Sequence, residues 1–96
     1  MRRAAHIDEN QPEIVAALRA IGCSVKSLAA VGEGVPDLLW GLRGFNGLIE
    51  VKNPEQDLNK RALTADQKEF HATWRGGIDV VETADQAIAA VKRRVL

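Results

Sequence analysis

The run GLIEVK, Gly47 to Lys52, constrains this chain more than any other stretch. Leu48, Ile49 and Val51 require burial, while Glu50 and Lys52 interrupt them at a spacing of two. In a strand, residues i and i+2 share a face. The acid and the base therefore project side by side from an otherwise apolar strand. A second apolar run, DLLWGL (Asp37 to Leu42), precedes it, with Arg43 to Asn46 as the turn between them. The turn decides what faces Glu50. A two-residue turn at Arg43-Gly44 sets Asp37 directly opposite Glu50, with Cβ atoms about 4.5–5.5 Å apart. A four-residue turn over Arg43 to Asn46 sets Asp37 opposite Lys52 and Leu39 opposite Glu50, and still keeps all three charges on one face. Asn46-Gly47 is the better type I′ signal, but turning there pairs Asp37 with Gln56, beyond the strand end. One of the two earlier turns is expected.

Around this hairpin the chain alternates helix and strand. A helix is predicted over about Pro12 to Ala20, with Asn10 as its cap, Pro12 in its first turn, and Ile14, Ala17, Leu18 and Ile21 as one apolar stripe ended by Gly22. Cys23 to Ala30 reads as a strand, and VGEGVP then breaks regularity. Asn53 to Leu63 is a polar loop. The string TADQ occurs twice, at Thr64–Gln67 and Thr83–Gln86. Each reads as a capping box, in which a Thr hydroxyl accepts from an orphan N–H and a Gln three residues on reaches back. Helices therefore start near Ala65 and Ala84, running to about Arg75 and Arg94, with a strand at Ile78 to Glu82 between them. The order is α-β-β-β-α-β-α, an α/β fold with helices flanking a mixed sheet.

Ninety-six residues make one domain, with residues 1–9 as a flexible tail. No apolar run approaches the roughly 20 residues of a membrane helix, and MRRAAHIDEN has no apolar segment of the secretory kind. The single cysteine, Cys23, rules out an internal disulfide and fits a reducing, cytoplasmic compartment. One Cys and two separated His also lack zinc-ligand spacing. Thirteen basic and thirteen acidic residues cancel. That balance counts against a general nucleic-acid binder, but a local patch is enough to neutralise phosphates. The middle of the chain offers one, in Lys60, Arg61, Lys68 and Arg75, and the ends another, in Arg2, Arg3, Lys92, Arg93 and Arg94.

Two carboxylates that face each other repel unless a proton or cation sits between them. Hard oxygen donors suit Mg²⁺ or Mn²⁺, which are commonly held by one or two carboxylates with water and substrate phosphate. A lysine beside such an ion can orient the attacking water and meet charge developing on phosphorus. An E-x-K alone is better explained as a solvated cross-strand pair; what changes the balance is Pro36-Asp37, which supplies the second carboxylate. With that second carboxylate, the chain resembles a known family. Pro36-Asp37 followed by Glu50-Val51-Lys52 is similar to the PD-(D/E)xK nuclease signature. The wider strings GVPDLLWGLRGFNGLIEVKNP and LTADQKEFHATWRG resemble the small phage-type VRR-NUC (virus-type replication-repair nuclease) domain, from NQPEIVAALRAIG onward.

The resemblance implies a restriction-endonuclease-like fold and a metal-dependent DNA endonuclease in the cytoplasm of a phage-infected or bacterial cell. It implies branched DNA such as four-way junctions as substrate, and a homodimer. Asp37, Glu50 and the carbonyl of Val51 would bind the ion, and Lys52 would serve the water. Glu13 matches the family's first-helix Glu near the metal, although three residues after Asn10 it could equally complete a cap. Gln67 matches the family's glutamine; it lies four after Leu63 and three before Phe70 and should face inward, although capping explains it as well. The DNA contacts expected are Lys60, Arg61, Lys68, His71 and Arg75, with His71 one turn after Gln67. A non-catalytic DNA-binding module that kept the fold is the alternative. VGEGVPD leads into a strand, so a nucleotide loop is not expected; its glycines should let the backbone turn and aim Asp37. Cys23 reads as core, Trp40 as packing on the face opposite Asp37, and Phe45, Phe70 and Trp74 as core or interface.

Overall fold

The computed structural model describes residues 8–55 and 62–96. Lys60, Arg61 and all but the last two residues of the expected tail lie outside the described residues. The order is α1 (Gln11–Ala20), β1 (Ser24–Ser27), β2 (Leu38–Leu42), β3 (Phe45–Val51), α2 (Ala65–Thr73), β4 (Ile78–Val81) and α3 (Ala84–Arg94). The α/β class and the order α-β-β-β-α-β-α are as expected. The four strands form one sheet in the order β1-β2-β3-β4, antiparallel twice and then parallel.

The hairpin adopts the two-residue turn. Leu42 pairs with Phe45 and Leu38 with Ile49. Arg43 and Gly44 both take positive φ, 53° and 86°, as a type I′ turn requires. Gly47 serves packing instead of turning. A Cβ there would stand 2.6 Å from the Trp40 indole, which lies across it from the paired strand. The third strand consequently starts at Phe45, two residues before the expected Gly47.

Strand parity divides the sheet into two faces. Leu38, Trp40, Ile49, Val51 and Val81 join Ile14 and Leu18 of α1 and Ala87, Ala90 and Val91 of α3 in one buried cluster, with Cys23. α1 ends in a Schellman arrangement: Gly22 N–H bonds to Arg19 and Cys23 N–H to Leu18. Its start differs from the expectation. Asn10 makes no side-chain cap; its Nδ2 donates to the carbonyls of Lys52 at 3.0 Å and Glu82 at 2.8 Å. The residue that reads as a cap is a strut tying α1 to the ends of β3 and β4. At the other end of β4, Arg94 clamps Asp79 through two bonds of 2.6 and 3.2 Å.

The opposite face carries Leu39, Leu48, Glu50, Lys52 and Val80, and α2 lies over part of it with no buried residue of its own. Leu39 and Val80 are 39% and 50% exposed, so that face is only partly covered. Trp74 is also half exposed and stacks on Phe70 at 5.0 Å, so of the two places expected for it, core or interface, it does not take the core. Phe45 packs against the core cluster as a partly buried residue.

Candidate active site

Three segments bring the charged groups together. The chain leaves β1 at Ser27 and returns at Asp37, where Leu28 N–H bonds to the Asp37 carbonyl at 2.7 Å and pins its backbone. Between them Gly32, Glu33 and Gly34 all take positive φ. A Cβ on Gly34 would fall 2.2 Å from the Asp66 carbonyl oxygen. The glycine loop thus does more than aim Asp37: its bare backbone admits the first turn of α2, which carries Gln67.

Asp37 Oδ2 accepts a 2.7 Å bond from the backbone N–H of Val51. This holds the carboxylate across the hairpin, where the register sets it opposite Glu50. Glu50 is 2% exposed. Its Oε2 accepts from Gln67 Nε2 at 3.2 Å and lies 3.9 Å from Lys52 Nζ, which donates to Gln67 Oε1 at 2.9 Å. Its Oε1 is sealed from solvent and takes part in no hydrogen bond. Burial pushes the Glu50 carboxyl up to about 9, and the shared hydrogen bond with Asp37 and the repulsion of its charge add to the rise. The Lys52 charge works the other way. Without a cation, Glu50 therefore holds a proton at neutral pH.

Gln67 reconciles the two roles proposed for it. It completes the α2 capping box, its Oε1 accepting from Thr64 N–H at 3.0 Å and its N–H donating to Thr64 Oγ1 at 3.3 Å. The same side chain bridges Lys52 and Glu50. The second TADQ differs: Thr83 caps Gln86, but the Gln86 side chain accepts from Glu82 N–H, one residue outside the expected box. His71, one turn beyond Gln67, brings Nε2 to 4.0 Å from Glu50 Oε1. Burial and then the Lys52 charge lower its pKa, so the imidazole is neutral at pH 7.

Glu13 stands apart from these groups. It is exposed and lines a cleft of about 360 Å³ with Glu9, Asn10, Asn53 and Glu82. No hydrogen bond or ion pair among the described residues joins it to Asp37, Glu50 or Lys52. The charge of this segment that reaches Glu50 is that of Asp8, whose only signal in the sequence is membership of the acidic run DEN. Of the expected DNA contacts, Lys68 is exposed on α2. His71 and Arg75 line a cleft of about 500 Å³ with Gly76, Gly77, Ile78 and Arg94, which adds a second guanidinium.

Among the described residues, no three His, Cys, Asp or Glu side chains gather closely enough to form a cage for a metal ion. The donors that do meet are two carboxylates, one with a buried oxygen lacking any partner, and hard oxygen pairs of that kind fit Mg²⁺ or Mn²⁺ completed by water and phosphate. No family model, curated protein or solved structure matches this chain. The family resemblance stands on its residues alone.

Proposed function

We propose that this protein is a divalent-metal-dependent DNA endonuclease that hydrolyses backbone phosphodiesters. The observation that carries the reading is the buried Glu50 carboxylate, faced by Asp37 and left with an open oxygen, beside a lysine fixed by Gln67. Glu50 is buried and Asp37 half-buried, and two facing carboxylates stay together only with a proton or a cation between them. Asp37 and Glu50 would hold the ion, Mg²⁺ or Mn²⁺. Val51 would add its carbonyl; a strand residue turns its N–H and C=O to one edge, and the Val51 N–H already meets Asp37. When bound there, such an ion would supply neutralisation of phosphate charge and a more acidic water.

The remaining work belongs to the chain. Lys52 would orient the attacking water and meet negative charge gathering on the phosphoryl oxygens. Gln67 fixes Lys52 in that position. Arg75, with Lys68, would grip flanking phosphates. A preference for branched or four-way junction DNA and a phage or bacterial cytoplasmic setting follow from the resemblance. No helix among the described residues is long and apolar enough to cross a membrane.

The deciding experiment incubates the purified protein with plasmid and with synthetic four-way junctions in Mg²⁺, Mn²⁺ or EDTA. Cleavage should require the ion and vanish in Glu50→Ala; equal cleavage by that variant removes this site from the reaction.

We also propose a homodimer, since cutting both strands of a junction requires two sites and twofold symmetry supplies them. Leu39 and Val80, uncovered beside Glu50's strand, offer apolar surface for a self-complementary contact. Sedimentation at micromolar concentration should give twice the chain's 10.5 kDa. A mass of one chain, unchanged by DNA, refutes the dimer.

A further inference from the structure

Trp74 belongs neither to the core nor to the cluster around Glu50. It is 49% exposed, yet its ring is held in place. Phe70 stacks on it at a centroid distance of 5.0 Å and an interplanar angle of 17°. A Cβ on Gly76 would stand 2.7 Å from its Nε1, so bare backbone lies against the indole edge. A large flat ring is thus propped up with half its surface in water.

The sequence builds this where α2 ends. Residues four apart lie on one helix face, which sets Trp74 beside Phe70. Its N–H closes the helix on the Phe70 carbonyl at 2.9 Å, and its backbone is extended, with φ −72° and ψ 128°. The next residues, Arg75, Gly76 and Gly77, line the cleft of about 500 Å³. Two guanidiniums serve that cleft. Arg75 is exposed and forms no ion pair among the described residues. Arg94 commits Nε and Nη2 to Asp79, while its Nη1 lies against Gly77, where a Cβ would strike it. His71 joins this cleft to the candidate active site, since it lines the one and stands 4.0 Å from Glu50 in the other.

A flat aromatic beside phosphate donors matches an unpaired nucleotide, whose base stacks on the ring while its phosphate meets the guanidiniums. Bases inside a duplex are stacked on one another and offer no free face. A second copy of the chain suits this surface less well. A twofold contact sets a patch against itself, which would bring two basic clefts together, and like charges oppose that.

We infer that Trp74 is a stacking platform for an unpaired DNA base, with Arg75 and Arg94 Nη1 holding the phosphate beside it, so that the protein takes strands with a single-stranded nucleotide next to the site. This rests on the DNA reading above and adds to it the state of the strand. No metal takes part in it.

The test follows the tryptophan fluorescence of the full chain in EDTA. Of the two tryptophans Trp40 is fully buried, so quenching by a bound base reports Trp74. The probes are an oligothymidylate of about ten nucleotides, the same sugar-phosphate chain without bases, and a blunt duplex. The oligothymidylate should quench the emission, whereas the baseless chain and the duplex should bind through charge without quenching. Trp74→Ala should weaken the oligothymidylate by about fivefold or more and leave the baseless chain unchanged. Trp74→Phe should recover part of that loss, and Arg75→Ala should weaken both single strands alike. Melting temperatures confirm that the variants fold. Equal quenching by the baseless chain, equal loss of both strands in Trp74→Ala, or no DNA binding at all would overturn the inference. So would an emission that ignores DNA but shifts with protein concentration, which would place Trp74 between two copies of the chain. The nuclease reading fails separately, by cleavage in Mg²⁺ or Mn²⁺: a chain that stacks the base in EDTA and never cuts keeps this inference and loses that one.

Discussion

The two faces of one sheet behave differently. On the face under α1 and α3, Leu38, Trp40, Ile49 and Val51 pack into a single apolar cluster. On the other, Glu50 of the same strand β3 and Lys52, one residue past its end, lie under a helix that buries nothing of its own. β3 is thus buried on both sides, by apolar packing on one and by a charged network on the other. Burial of apolar area is the dominant favourable term in folding, and the first face supplies most of it. That surplus lets the second face hold groups that repel one another, a pattern expected where structure yields to function.

The sharpest way to break this contrast is to substitute neighbours in β3. Ile49→Ala should cost about 2–5 kcal/mol of stability, as large-to-small changes at fully buried positions do. Glu50→Gln should do the reverse: lose cleavage entirely while its melting temperature in EDTA at pH 8 holds or rises. Asp37→Ala and Lys52→Ala should also abolish cleavage, and Asp37→Ala should remove divalent-ion binding by calorimetry. If Glu50→Gln destabilises as much as Ile49→Ala, the charged face is structural and the contrast is false.

The proton on Glu50 gives the next effect. The native metal-free carboxyl titrates at about 9, against 4.5 for an unperturbed group. Between those values the native state keeps a proton that the unfolded chain has released, so stability falls as pH rises. The contribution is fully present below about pH 4.5 and is lost as pH climbs through 9. Melting in EDTA at pH 5, 7 and 9 should show a declining temperature, and Glu50→Gln should flatten that slope. Adding Mg²⁺ should raise the melting temperature more at pH 9 than at pH 5, since a cation replaces the missing proton.

The repeated TADQ supplies a smaller, better-controlled comparison. Gln67 and Gln86 occupy the same position in two helix starts, yet only Gln67 touches charged site residues. Gln67→Ala and Gln86→Ala should each cost about 1 kcal/mol or less. Gln67→Ala alone should slow cleavage, by about 10–100-fold, as loss of a group that orients a ligand does. Matching rate losses in both variants would mean that helix α2 serves only to cover the face.

Much of this arrangement was legible because strands have a period of two. The shared face of Asp37, Glu50 and Lys52 followed from parity under either hairpin turn, and so did Trp40 on the opposite face. Choosing between the turns required the conformation of Arg43, a non-glycine residue at positive φ that no pattern announces. Long-range side-chain bonds were illegible for a related reason. Asn10 has the chemistry of a cap, and only the folded chain reveals that the ends of β3 and β4 lie within its reach. Gln67 was read as cap or site residue, whereas an amide has an oxygen and a nitrogen with room for several partners and does both. Gly34 looked like a turn former, and its need for bare backbone appears only when α2 packs on it.

The smallest effects belong to the N-terminal acids, where resemblance and geometry part. The resemblance selects Glu13, which lies exposed on the rim of a different cleft. The charge of Asp8 acts on Glu50 and raises its pKa, after burial and Asp37. Asp8→Asn should therefore move the pH-dependent loss of melting temperature in EDTA to lower pH, and by less than Asp37→Asn moves it. Glu13→Ala should leave that profile in place and change stability by no more than about 0.5 kcal/mol, as exposed substitutions usually do. Cleavage rates for the two variants sharpen the comparison, because a carboxylate that reaches the ion's surroundings changes the rate and one on the cleft rim does not. A large rate loss in Glu13→Ala with an unchanged melting temperature would restore Glu13 to the site and require α1 to turn its first helical acid toward Glu50 when DNA and metal are bound.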